Sequence, residues 1–189
     1  HLADYTQTEG QWSILGVSLR SAAIRDGLST QKYDYTLCVQ GRGDKRITVL
    51  ENVLFAPENP LSVLTAVADA NTHIISLTVT EKGYTLTSDN RLDLNDPGVL
   101  EDLNTGQPKT VIGFLAYGLA RRQTPVTVLC CDNLSHNGDV LDQAVKDFAE
   151  AALLKIEWSN VSFPNSMVDR ITPATTKVLG KATGDMMAV

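Results

Sequence analysis

The sequence predicts an α/β fold, a doubly wound and mainly parallel sheet with a β-hairpin insertion. Three observations carry this. Short apolar runs of strand length alternate with longer segments of helical period. The best strand, residues 74–80 (IISLTVT), is β-branched and uncharged with polar ends, as in a strand buried within a parallel sheet. Two further apolar runs flank the turn-forming Gly41-Arg42-Gly43-Asp44, which marks the hairpin.

Taken in order, residues 12–19 (WSILGVSL) read as a buried strand and residues 22–31 as the helix after it. Residues 35–40 and 46–55 read as the two arms of the hairpin. Residues 60–70 form a helix: Pro60 suits a first turn, and Leu61, Leu64, Val67 and Ala68 share a face. After the strand at 74–80 comes a polar stretch, 85–108, too long for a simple loop. A helix at 110–122 and a strand at 126–131 follow. Residues 139–154 carry Val140, Leu141, Ala144, Val145, Phe148 and Ala152 at helical spacing, a core-facing stripe. A short strand is expected at 160–162.

With 189 residues the chain can bury one proper core, and 43% hydrophobic with 20% charged residues is ordinary for a globular protein. A formal charge of −6 excludes a nucleic-acid partner, which needs a basic face. No apolar run is long enough to cross a bilayer and no leader pattern opens the sequence, so no membrane partner is expected. Three cysteines, Cys38, Cys130 and Cys131, without metal-ligand spacing suit a reducing cytoplasm and leave no metal site to expect.

Three motifs carry the chemistry. They are Ser76–Tyr84 (SLTVTEKGY), Val128–Gly138 (VLCCDNLSHNG) and Val161–Pro173 (VSFPNSMVDRITP). Each follows or overlaps an expected strand, and ligands of such sheets sit beyond the carboxyl ends of the strands. In this order they resemble the signatures of the long-chain mannitol dehydrogenase family, which includes mannitol 2-dehydrogenase and fructuronate reductase. The resemblance implies a Rossmann-like cofactor domain and NAD(P)-dependent hydride transfer with a polyol or sugar acid, NAD being the expected cofactor and NADP the alternative. It also implies the roles of the residues. Thr78, Val79, Thr80 and Glu81 line the cofactor groove, and Asp132 and Asn133 reach the nicotinamide side. Asn165 is the catalytic candidate, an amide that polarises the substrate carbonyl. The bland readings are a surface Glu-Lys turn for the first group, turn chemistry for Asp132-Asn133, and a Pro-Asn turn for Asn165. His136-Asn137-Gly138 reads as a helix start, with Asn137 or Asp139 as cap. Asp169-Arg170 reads as an architectural pair.

The Gly-rich turn of a dinucleotide fold, G-x-G-x-x-G, is absent. The resemblance makes His1 the last residue of a glycine-rich fingerprint whose first strand precedes it. Residues 1–176 are then the cofactor domain and 177–189 the lead into a substrate domain that holds the family's catalytic lysine. Lys82, Lys177 and Lys181 do not match that lysine, so the general base is expected outside this chain and the fragment alone is expected to be inactive. The segment Gly16–Ser21 has no acid for a ribose, while Arg20 and Ser21 tolerate the extra phosphate of NADP; Arg20 equally suits a solvated helix start. The competing reading is a non-catalytic nucleotide-binding or interaction module.

Overall fold

The structure, a computed structural model, describes residues 2–39 and 43–168. The expectations for Asp169-Arg170, for Lys177 and Lys181 and for the segment 177–189 lie outside the described residues, as do His1, Gly41 and Arg42 of the expected hairpin turn. The chain divides between Glu58 and Asn59 into two compact units.

In the first unit, helix α1 (Leu2–Glu9) leads to strand β1 (Ile14–Ser18), helix α2 (Ala23–Ser29), and strands β2 (Tyr35–Val39), β3 (Gly43–Ile47) and β4 (Leu50–Phe55). β2 and β3 pair antiparallel as the expected hairpin, and β1 pairs with β4 in parallel, Ser18 opposite Phe55. The second arm of the hairpin was expected to run through to Phe55. Instead it stops at Ile47, and Leu50–Phe55 is a separate parallel strand. The side chain of Gln7 on α1 takes the Thr48 N–H at 2.7 Å and donates to the Arg46 carbonyl at 2.9 Å, so the ladder is interrupted where the chain turns. Ile47 beside this break is fully buried. The Arg25 guanidinium on α2 bonds Glu58 and lies over the Phe55 ring at 5.5 Å, tying helix to strand.

The second unit contains helix α3 (Pro60–Ala68), strand β5 (Ile74–Leu77), a 3₁₀ turn (Glu81–Tyr84), helices α4 (Pro97–Thr105) and α5 (Val111–Leu119), strand β6 (Val126–Cys130), helix α6 (Asn137–Ala151), and strand β7 (Val161–Ser162). The sheet order is β5-β6-β7, all parallel. With β1–β4 also parallel and helices on the crossovers, the fold is of the Rossmann-type α/β class.

Packing explains the helices. α5 is buried almost all round, through Val111, Ile112, Phe114, Leu115, Ala116 and Leu119, and it packs on both α3 and α6. A Cβ on Gly118 would sit 2.3 Å from Val67, so glycine is what allows α3 and α5 to approach. Tyr117 meets Phe148 of α6 edge to face at 5.5 Å. Each large apolar side chain fully buried here contributes about 1.5–3 kcal/mol.

Helix α4 lies inside the polar stretch 85–108, where no helix was expected. Its punctuation is ordinary: the Asp96 carboxylate caps Gly98 and Val99, Pro97 opens the first turn, and Gly106 at φ 67° ends it. The buried Asp102 then receives the N–H groups of Lys109 and Thr110 and the Thr110 hydroxyl at 2.6–3.0 Å, joining α4 to α5. At the amino ends of the strands the guanidinium of Arg122, 6% exposed, donates all five of its N–H bonds to carbonyls of Val67, Asp69, Thr72, Thr124 and Pro125.

Candidate functional site: a joint at the carboxyl ends of β5, β6 and β7

Strand β5 ends at Leu77, three residues sooner than its β-branched run suggests, because a side chain takes over from the ladder. The carboxylate of Asp132, just past β6, accepts the N–H of Val79 at 2.9 Å and of Thr80 at 3.2 Å. The backbone pairing itself closes one step earlier, with Cys131 N–H donating to the Leu77 carbonyl at 2.8 Å. Thr80 is thereby held at φ 68°, a region that a β-branched residue rarely adopts. Such strain concentrates at ligand clamps. β5 is also less covered than expected: Ile74 is 52% exposed.

The 3₁₀ turn returns Tyr84 beneath this loop. Its ring is 1% exposed, and its hydroxyl donates to Asp132 at 2.5 Å while contacting the Cys130 sulfur at 3.1 Å. Burial first, then the hydrogen bond to Asp132, push the phenol far above its usual range, so it stays a proton donor. Burial likewise raises the neighbouring Cys131 thiol, which keeps it un-ionised at neutral pH.

The second and third loops are joined through the first turn of α6. His136, at φ 53°, occupies the N-cap position without any side-chain cap bond. Neither Asn137 nor Asp139 caps the helix, contrary to expectation. The cap comes from another segment: Asn165, after β7, accepts the N–H of Gly138 at 2.9 Å and of Asp139 at 3.2 Å, and its amide donates to the Asp139 carboxylate at 2.9 Å. Asn137, 1% exposed, turns inward. Its amide group reaches the carbonyls of Cys130, Asp132 and Ser166 and the Ser166 hydroxyl at 2.9–3.2 Å, and its oxygen accepts the Ser166 N–H at 2.9 Å. Ser166 in turn donates to the Cys130 carbonyl at 2.5 Å. Gly138 is required by closeness, since a Cβ there would meet the Phe163 and Pro164 carbonyl oxygens at 2.5 Å.

Seven of the eight expected site residues therefore gather at one end of the β5-β6-β7 sheet: Thr78, Val79, Thr80, Glu81, Asp132, Asn133 and Asn165. Thr78, Thr80, Glu81, Asn133 and Asn165 are exposed there, while Val79 and Asp132 are half-buried. Asp132 is occupied by three internal donors and acts on its neighbours' backbone. The eighth, Arg20, is exposed on the bend after β1 in the other unit. Tyr84, Asn137, Gly138 and Ser166 stand inside the quoted motifs without being expected in the site, Asn137 being expected only as a helix cap. Their signal was the motif as a unit, read too narrowly for groups able to touch a ligand. A cavity of about 410 Å³ flanks the joint, lined by Glu81, Lys82, Thr85, Asn90, Asp93 and Leu134 among others. Among the described residues no group of three or more His, Cys, Asp or Glu is placed to hold a metal ion, and no helix is long and apolar enough to cross a membrane.

Comparisons with known proteins agree with this arrangement. The family described as "Mannitol dehydrogenase Rossmann domain" matches residues 1–188. Mannitol 2-dehydrogenase of Pyrenophora tritici-repentis is 40% identical over 93% of this chain and 35% of its own length. The enzyme of Aspergillus terreus is 36% identical over 100% of the chain and 42% of its own length. Among solved structures, Pseudomonas fluorescens mannitol 2-dehydrogenase in ternary complex with NAD and D-mannitol superposes with a TM-score of 0.85 at 34% identity, covering 98% of this chain and 42% of that one. D-Sorbitol dehydrogenase in substrate-free form gives 0.86 at 32% identity, covering 100% and 44%. The chain thus spans between about a third and under half of the length of the relatives it matches. With its three motifs hydrogen-bonded into one joint at the strand ends, and with a family match over nearly its whole length, the chain belongs to the mannitol dehydrogenase family.

Proposed function

We propose that this chain is the cofactor-binding part of an NAD(P)-dependent dehydrogenase that interconverts a polyol or sugar acid, such as mannitol or mannonate, with its ketose or keto-acid. Residues 1–176 serve as the cofactor domain, and 177–189 lead towards a substrate domain, a reading supported by the greater length of the relatives. The observation that carries the proposal is the joint itself. Three loops leaving adjacent parallel strands are bonded to one another, and their exposed groups fit a nicotinamide riboside: hydroxyls from Thr78 and Thr80, the Asn133 amide, and a strained backbone at Thr80.

When bound, NAD supplies the acceptor for the hydride that leaves the carbinol carbon. The residues of this chain do the rest of what it contributes. Thr78, Val79, Thr80, Glu81 and Asn133 form the floor that holds the reacting partners in register, where correct placement is worth several kcal/mol of barrier. Asp132 shapes that floor by fixing the Val79 and Thr80 N–H groups. Asn165 donates an amide N–H to the substrate oxygen. One hydrogen of its Nδ2 is used by Asp139, and a carboxamide nitrogen has two. The hydroxyl proton passes to a base outside this chain, the lysine that the family resemblance implies. NAD is the proposed cofactor, and Arg20 is the group that would admit a 2′-phosphate.

The test is a substrate and cofactor panel on the full-length protein, pairing mannitol, arabinitol and mannonate with NAD and with NADP. Substrate-dependent reduction of NAD is expected. Absence of turnover with every pair, together with binding of NAD or NADP, would leave the module reading in its place.

A further inference from the structure

We propose that Asn137 is a positioning residue for this reaction: its buried carboxamide fixes the loop after β7 so that the Asn165 amide points at the reacting oxygen. The inference rests on the functional reading above and extends it to a residue that touches no ligand.

The geometry is a two-way lock. Asn137 accepts the Ser166 N–H at 2.9 Å and donates to Ser166, by carbonyl at 3.1 Å or hydroxyl at 2.9 Å. The same amide nitrogen lies 3.1 Å from the Cys130 carbonyl at the end of β6. These partners fix the orientation of the carboxamide, with its nitrogen among oxygens and its oxygen towards an N–H. Aspartate would place a negative charge among carbonyl oxygens, and an apolar residue would leave buried polar groups unpaired. Asparagine is the residue of this length that meets both demands. Asn165 is the residue immediately before Ser166. It is held on one side by this lock and on the other by its own bonds to Gly138 and Asp139. Consecutive residues of the first turn of α6 thus grip consecutive residues of the loop, and release of Ser166 lets Asn165 drift. A displacement near 1 Å at a reacting centre costs about a hundredfold in rate.

The test is a double-mutant cycle in the full-length protein with NAD and D-mannitol, or with the best polyol of the panel. Asn137→Ala is expected to lower kcat by about a hundredfold and to leave the NAD dissociation constant within about twofold, since the Asp132 carboxylate keeps its own bonds to Val79 and Thr80 even as its backbone carbonyl loses the Asn137 amide. Added to Asn165→Ala, it is expected to cause no further loss of kcat, because the group it positions is already gone. A purely structural residue behaves otherwise: thermal stability falls while kcat of the folded protein holds, or the two losses multiply, and either result overturns the proposal. Should Asn137→Ala fail to fold, Ser166→Ala removes part of the same lock. It must then show the same pattern at about tenfold, and an unchanged kcat or multiplied losses there overturn the proposal equally. A wild type with no polyol-dependent NADH formation overturns the functional reading and this inference with it, whereas an active wild type with multiplied losses overturns this inference alone.

Discussion

Tyr84 and Gly138 show how single residues decide the site. The Tyr84 hydroxyl sits between Asp132 and Cys130, on a side chain that is 1% exposed. Tyr84→Phe leaves the Asp132 carboxylate short of a charge-assisted bond, at an expected cost of about 2 kcal/mol. It also loosens the Val79–Thr80 loop, so NAD affinity falls along with the denaturant midpoint; unchanged affinity would separate the loop from the cofactor. Gly138 acts through space rather than through bonds. The β carbon of Gly138→Ala would strike two backbone carbonyls, which cannot rotate away as a side chain would. A loss of about 3 kcal/mol in chemical denaturation is expected, with kcat falling more than NAD affinity because the displaced loop carries Asn165. A neutral effect on both would show that the Phe163–Asn165 segment is not held where it is described.

At the scale of elements, β1, β5, β6 and the helices α2, α3, α5 and α6 were legible because each carries its own apolar run, period or cap, whereas β4 was expected as a hairpin arm and α1 was not expected. The expected strand at 160–162 is two residues long, and its position was readable only because the motif named it. Two boundaries failed for one reason. The runs at 74–80 and 46–55 are continuous in composition, yet Asp132 from across the sheet and Gln7 from α1 capture backbone N–H groups and end the pairing. Long-range capture of this kind leaves no mark in local sequence. Helix α4 was a different failure, since Asp96-Pro97 and Gly106 are readable signals that the polar composition of the stretch masked. The segment before α4 is anchored by Asp147 of α6, which receives Arg91 in a two-point pair at 2.5 and 2.9 Å and the Leu92 N–H at 3.2 Å. The Arg91 guanidinium holds this carboxyl below the usual carboxylate range. The pair therefore stabilises the fold fully above the unfolded value of about 3.9, and that contribution is lost as pH falls through the lower folded value. Arg91→Ala should lower Tm at pH 7 and narrow its drop between about pH 5 and pH 2; Tm curves parallel to wild type across that range would refute the coupling.

Across the whole molecule, the family, the parallel sheet and the gathering of the three motifs at one end of it were all within reach of the sequence, because those motifs are built from residues that hold one another. The division of labour within them was not. Asn133, Thr78 and Thr80 present groups outward, whereas Asp132, Asn137, Tyr84 and Ser166 spend theirs inward, and the types of residue alone do not distinguish the two. Another cavity of the β5-β6-β7 unit, about 280 Å³ and lined by His73, Pro125, Thr127, Asn160 and Ser162 among others, lies at the opposite, amino end of the strands and competes for a ligand. The measurement that decides between the two ends is a crystal structure of the full-length protein with NAD. The nicotinamide is predicted to lie within about 4 Å of the Thr78–Thr80 loop and Asn133, with the Asn165 amide facing its reactive side. A dinucleotide seated at the amino ends of the strands, or one that leaves those three loops untouched, would contradict the account.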